Sequence, residues 1–378
     1  MRLLLTVLFF GMALTHIISV GMVRYLPVVG TMVLIFLLGK HLYYAENRAW
    51  YTIGGALILV GSIFPSILYG DALSYAYAGF AIVNFFLYPI FERVRLTDVH
   101  LGIIFVCLCV TIMPLGVGNR VVSIYDNPNN YSAVVFSTMY FGMLLFRGRL
   151  LPQILVFAFF VLLIFLAASR SMLGAILVFG LLYFSQQYVL KTTFRKLMVV
   201  GLAVIAFGYY SLITDDRFKL METIQSNTLS DKKERGLSHR DELFNYSVEL
   251  SMRQPQGYGL GMSNTALKEA YGTRISPHNT YLKIMVEGGW LALFGFCVLM
   301  FGFFLTSTSP LATSFLFALM IRGFFESSTP FTVSFISGML IIPMFLNEWS
   351  VDRDLRLVFR KEDNSLPADN AVPIPSEQ

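Results

Sequence analysis

The chain has little charge. Only 13% of its 378 residues are Asp, Glu, Lys or Arg, against about 25% in an ordinary globular domain. A soluble surface cannot be built from so few charges. Disorder is excluded as well, because disordered chains are charge-rich and poor in aromatics, and here aromatics make up 15%. Cysteine is scarce. Cys107, Cys109 and Cys297 sit in apolar runs, and Cys107 and Cys109 point to different helix faces. They read as buried thiols that fill space, with no disulfide framework and no metal site. No internal repeat is visible. The apolar class is abundant, at 56% of residues, with a mean hydropathy of +0.66. These proportions imply an all-α, polytopic integral membrane protein whose function lies in the polar residues that lipid makes expensive.

Crossing the hydrocarbon takes about 20 apolar residues as helix. Twelve runs qualify: 3–22, 26–42, 50–69, 72–91, 99–117, 131–147, 150–168, 172–190, 197–213, 279–305, 310–326 and 331–349. The first run lacks a convincing cleavage site and is counted as a span, not a signal peptide. Lys and Arg are retained on the cytoplasmic side. With the N-terminus inside, the cytoplasmic segments hold 14 of the 28 basic residues and the short outer loops hold 4. The long segment 214–278 is outside and carries 9 basic and 9 acidic residues. Loops of that length translocate largely regardless of charge. The expected organisation is therefore spans one to nine over 1–213, a large helical periplasmic loop over 214–278, spans ten to twelve over 279–349, and a cytoplasmic, disordered tail over 350–378. Within the loop, Ser238 caps a helix that Pro255 and Gly257-Tyr258-Gly259-Leu260-Gly261 end.

Ionisable groups at span ends are functional candidates by default. Three clusters share the outer side of this topology. Ser169-Arg170-Ser171 joins spans seven and eight, against the charge bias. Its guanidinium offers a planar donor fork suited to phosphate. His239-Arg240-Asp241-Glu242 opens the loop helix, where a helix N-terminus already favours an anion, although a surface pair between Arg240 and a neighbouring carboxylate fits equally well. Ser276-Pro277-His278-Asn279 stands where the loop re-enters the membrane. Pro277 suits a helix start, His278 titrates near neutral pH, and Asn279 can orient a sugar hydroxyl or a backbone group. Glu287 is nine residues beyond His278, about half a turn away around the helix, so the two do not pair.

Weaker patterns are set aside. Gly257-x-Gly259-x-Gly261 lacks the strand-then-helix context of a nucleotide loop and reads as a turn. Asp215-Asp216 is a poor metal site. Arg322 and Glu326, four apart, can pair along a helix. Asp126-Asn127-Pro128-Asn129-Asn130 is turn chemistry that can also offer hydrogen bonds to a sugar.

Together these clusters resemble the O-antigen ligase and O-antigen polymerase superfamily of bacterial inner-membrane glycosyltransferases. The matching residues are Pro128-Asn129, Ser169-Arg170, Arg240, Pro255 with the glycine turn, His278-Asn279 with Leu282, and Glu287-Gly288-Gly289. The resemblance covers about residues 120–345. It implies an undecaprenyl-diphosphate-linked glycan as donor and an active site on the periplasmic face of the inner membrane, with no metal or cofactor. It carries the essential roles to Arg170, Arg240 and His278. Asn279, Asn129 and Arg322 are then candidate contacts for diphosphate or sugar.

The expected reaction is an inverting glycosyl transfer from a lipid-linked O-antigen to lipid A–core, in lipopolysaccharide biosynthesis. An O-antigen or exopolysaccharide polymerase, with a second lipid-linked repeat as acceptor, is the alternative. A lipid-linked glycan transporter ranks below both, because a transporter needs basic residues through its midplane and these spans are almost free of charge there.

Overall fold

Lipid offers a peptide group no hydrogen-bond partner, so long apolar runs close their bonds internally as helix. The computed structural model describes residues 2–14, 48–113, 128–167, 169–188, 238–272, 277–332 and 335–351, and among these it is helical without strands. Before the loop come α1 (Arg2–Leu14), α2 (Ala49–Tyr69), α3 (Ala72–Leu87), α4 (Ile90–Val94), α5 (Asp98–Thr111), α6 (Pro128–Leu145), α7 (Leu150–Leu166) and α8 (Arg170–Tyr188). The loop contributes α9 (Ser238–Arg253) and α10 (Ser263–Tyr271). Beyond it lie α11 (Thr280–Thr306), α12 (Pro310–Gly323), the short α13 (Phe335–Gly338) and a 3-10 turn at Ile342–Met344. The expected spans 26–42 and 197–213, the loop up to residue 237 with Asp215-Asp216, and the tail beyond residue 351 lie outside the described residues.

Among the described residues, Ala49–Tyr69, Ala72–Glu92 and Thr280–Thr306 are long and apolar enough to cross a membrane, and Asp98–Thr111, Leu150–Leu166, Ser171–Gln186 and Pro310–Gly323 are shorter apolar helices. The expected span at 331–349 is not a continuous helix. It breaks into α13 and the 3-10 turn, which holds Pro343 at its start, and residues 336–347 are all buried. Hydropathy alone could not separate a lipid-facing helix from an apolar segment packed inside the protein. Similarly, α12 stops at Gly323, and residues 324–332 follow as mostly buried irregular backbone. Such backbone is tolerated at membrane depth only where protein surrounds it. The three cysteines are free thiols, and they are partly rather than fully buried. Cys107 and Cys109 stand beside Val106 and Val110, which face outward.

Helix starts follow capping chemistry. Asp71 accepts the Ser74 N–H at 2.8 Å to begin α3. Ser309 accepts the Ala312 N–H at 3.0 Å and is followed by Pro310 to begin α12, both satisfying otherwise unpaired amides.

The tightest crossing joins α2 and α11, which run antiparallel. Gly54 and Gly61 are seven apart, as are Gly288 and Gly295. A Cβ on Gly54 would stand 2.7 Å from Leu299 N, one on Gly61 2.6 Å from Ala292 N, and one on Gly295 2.7 Å from the Gly54 oxygen. Small residues thus let two backbones touch where no hydrophobic force separates helix from lipid.

Within its buried first half, α11 kinks at Gly289, with φ 70° and ψ −174°. The kink frees carbonyls, and the loop uses them. Tyr258 N–H donates to Val286 O at 2.9 Å, Gly259 N–H to Glu287 O at 2.8 Å, and Trp290 N–H to Pro255 O at 3.0 Å. Leu260 N–H donates to Ser66 Oγ on α2 at 2.9 Å. Gly257, Gly259 and Gly261 all have positive φ, so this segment is the turn its spacing suggested.

The contacts also give the bundle two chemically distinct ends. At one, Arg48 pairs with Glu92 at 2.8 Å and Arg147 with Asp98 at 2.5 Å, and Trp50 meets Phe303 near the C-terminal end of α11. At the other lie the glycine turn, α9, α10 and the start of α11.

Gly61→Leu or Gly295→Leu should cost roughly 3 kcal/mol through overpacking. Gly79→Ala and Gly102→Ala, whose added methyls meet nothing within 4 Å, should gain up to about 1 kcal/mol in helix propensity. Thermal unfolding of the detergent-purified variants checks this, with the first pair melting early and the second pair at or above wild type.

Candidate functional site

Four segments far apart in sequence meet at the end of the bundle that carries the start of α11. The meeting point is a buried polar network. Asn129, in the first turn of α6, donates from Nδ2 to Glu326 Oε1 at 2.6 Å. Ser169, buried just before α8, donates from Oγ to Asn129 Oδ1 at 3.1 Å. Thr280, the first residue of α11, donates from Oγ1 to the Glu326 carbonyl at 2.8 Å and accepts the Ser328 N–H at 3.0 Å. Glu326 itself is 9% exposed.

Asn279 is the N-cap of α11. Its Oδ1 accepts the amides of Tyr281 at 2.9 Å and Leu282 at 3.0 Å, and its Nδ2 donates to the Phe324 carbonyl at 3.3 Å. Of the two roles the sequence left open, the geometry shows the backbone one. Pro277 is two residues ahead of this cap and outside the helix. His278 lies between them, partly buried.

Arg322 sits in the last turn of α12 and is 4% exposed. Its Nε has no hydrogen-bond partner among the described residues. The helical pairing with Glu326 anticipated from their spacing is not what forms. The helix ends at Gly323, and the Glu326 carboxylate turns to Asn129. Glu326 is the residue that sequence reasoning missed. Its signal was a carboxylate just past the end of an apolar run, but the spacing to Arg322 offered a ready local explanation.

Arg170 is the first residue of α8 and adjoins Ser169. Arg240 falls in the first turn of α9. Their side chains lie outside the described residues. The packing of α9 and α10 against α11 brings the loop helix that carries Arg240 onto the helix that follows His278. The loop pair has its own small core of Leu243, Leu250, Ala266 and Leu267. Tyr246 stacks on Tyr271 at 4.1 Å, and Arg253 lies over Tyr271 at 5.7 Å. Burial pushes the Tyr271 phenol up to about 12. Tyr271 and Arg253 beside Glu249 hold its carboxyl below the usual range. Among the described residues, no three His, Cys, Asp or Glu side chains gather as metal ligands.

Residues 154–297 match the family model described as O-antigen ligase. This supports the superfamily that the motifs resemble, and with it glycosyl transfer of the O-antigen ligase or polymerase type, in a membrane protein. The matched segment runs from within α7 to within α11. It contains Arg170, Arg240, His278 and Asn279, but not Asn129, Arg322 or Glu326. No curated protein and no solved structure matches the chain.

Removing one partner of a buried charge leaves the other unpaired. Asn129→Ala and Glu326→Ala should each destabilise the fold by about 3 kcal/mol, and Glu326→Gln by less. In a thermal-unfolding double-mutant cycle, Asn129→Ala with Glu326→Ala should cost clearly less than the two single changes added together.

Proposed function

We propose that the protein catalyses inverting, metal-independent glycosyl transfer from an undecaprenyl-diphosphate-linked O-antigen to a hydroxyl on lipid A–core. The reaction takes place on the periplasmic face of the bacterial inner membrane, in lipopolysaccharide biosynthesis. The accompanying topology has about twelve spans, both termini in the cytoplasm and residues 214–278 outside. The observation that carries this reading is the convergence of the Asn129, Ser169-Arg170, His278-Asn279 and Arg322–Glu326 segments through one hydrogen-bonded network. Their sequence separations exceed any local explanation.

The chemistry follows from the residue types. The acceptor hydroxyl oxygen attacks the anomeric carbon of the donor. Its proton passes to the His278 imidazole. The bond from that carbon to the phosphate oxygen breaks, and undecaprenyl diphosphate leaves with the electron pair. Attack opposite the leaving group inverts the anomeric centre. Arg170 and Arg240 face the negative charge that grows on the diphosphate. Donors aimed at developing charge contribute most in a water-poor site, each on the order of 100- to 1,000-fold. A positioned general base adds about 100- to 10,000-fold. Arg322 supports the reading from inside the bundle. A buried guanidinium with an unpaired Nε is costly, and an entering anionic group relieves that cost. Asn129 and Asn279 hold the segments in place beside the site.

Purified wild-type protein should transfer glycan from undecaprenyl diphosphate to lipid A–core in the presence of a chelator. His278→Ala, Arg170→Ala and Arg240→Ala should insert normally and lose at least about 100-fold in rate. Arg322→Ala should weaken donor binding. Offering lipid A–core and a lipid-linked repeat in competition decides the acceptor. Exclusive use of the repeat makes the protein a polymerase, and transfer that persists in His278→Ala removes the proposed base.

A further inference from the structure

Glu287 takes no part in the network above. It lies within α11, nine residues beyond His278, which precedes the N-cap Asn279, and it is 1% exposed. Both of its carboxylate oxygens are in use. Oε1 accepts the Ser263 hydroxyl at 2.8 Å, at the first residue of α10. Oε2 accepts the Thr329 hydroxyl at 3.1 Å, in the irregular segment 324–332. Lys283 Nζ is 3.9 Å from Oε1. The Glu287 carbonyl, freed by the kink at Gly289, accepts Gly259 N–H. One residue therefore touches the loop turn, the second loop helix and the segment that carries Glu326.

We propose that Glu287 is a positioning residue. It clamps the loop to α11 so that α9, bearing Arg240, stays in register with His278, which stands just before α11. The consequence for transfer rests on the reading given under Proposed function, but the clamp itself does not. Two hydroxyl donors need two acceptors in one side chain, which a carboxylate supplies. A glutamine preserves the arrangement, because its oxygen accepts one hydroxyl and its amide donates to the other, which reverses its role. Alanine leaves both hydroxyls buried without a partner. If the ion pair with Lys283 were what mattered, glutamine would fail as alanine does.

The test is amide hydrogen exchange on the full-length protein in lipid nanodiscs, read over residues 255–263. In Glu287→Ala, the amides of Tyr258, Gly259 and Leu260 should exchange at least about tenfold faster, while those of α6 keep their protection. Glu287→Gln should stay within about threefold of wild type. If Glu287→Ala does not assemble, Ser263→Ala removes one of the two bonds and should accelerate the same amides by about threefold or more. Unchanged protection in the variant that assembles, or equal acceleration in alanine and glutamine, overturns the clamp. In the transfer assay, Glu287→Ala should raise the apparent KM for the lipid-linked donor about tenfold, keep kcat within about threefold, and be rescued by glutamine. Faster exchange with unchanged KM overturns the link to the site. A wild-type protein with no transfer to either acceptor sinks the functional reading alone, because exchange still decides the clamp.

Discussion

The hydrogen bond between Asn129 and Glu326 makes the rest of the site possible. A carboxylate that is 9% exposed within a bundle this apolar must find its donors inside the protein. Asn129 supplies one at 2.6 Å and in doing so ties the start of α6 to the chain beyond α12. Ser169 extends the tie to α8, and Thr280 extends it to α11 through the neighbouring carbonyl. The polar groups are costly to bury singly and stable as a set, which is why segments separated by up to about 200 residues are held to a common point.

The helices were largely legible because lipid enforces them. An apolar run of 20 residues has few alternatives to helix, and α2, α3 and α11 lie where hydropathy put them. The loop helix Ser238–Arg253 was legible for a different reason, a serine at one end and a proline with glycines at the other. What hydropathy could not show was the fate of 331–349, because a segment packed against protein and one packed against lipid are equally apolar. Nor could spacing reveal Glu326. The Glu326 amide still bonds the Arg322 carbonyl at 3.0 Å, but its carboxylate goes to Asn129, a partner that local spacing cannot indicate. Charge bias and loop position are what suggested an outer-side grouping of Arg170, Arg240 and His278. The residues that build the polar network had no such signal, since a hydrogen bond from α6 to the far side of α12 leaves no local pattern.

The family match and the polar network divide the molecule differently. The match runs from within α7 to within α11 and holds the two arginines and the histidine. Asn129, Arg322 and Glu326 come from either side of it. The groups assigned to the chemistry thus lie in one continuous stretch of chain, and the groups that fix its neighbours are contributed by the flanks. The α2–α11 crossing completes this arrangement. With glycine backbones in contact, α11 has no room to slide on α2, and the kinked upper part of α11 becomes a fixed anchor for the loop.

The broken segment near the C-terminus bears on how the chain is made. Residues 336–347 present no face to lipid, so partitioning into the bilayer as a separate unit gives them little stabilisation. Their partners are protein groups placed earlier, including the Tyr140 hydroxyl on the Leu346 carbonyl and Arg48 on that of Met344. Helices that settle independently and then associate describe most of a polytopic chain. For this segment the stabilisation is tertiary, so it settles only where Arg48 and Tyr140 are already in place to receive it.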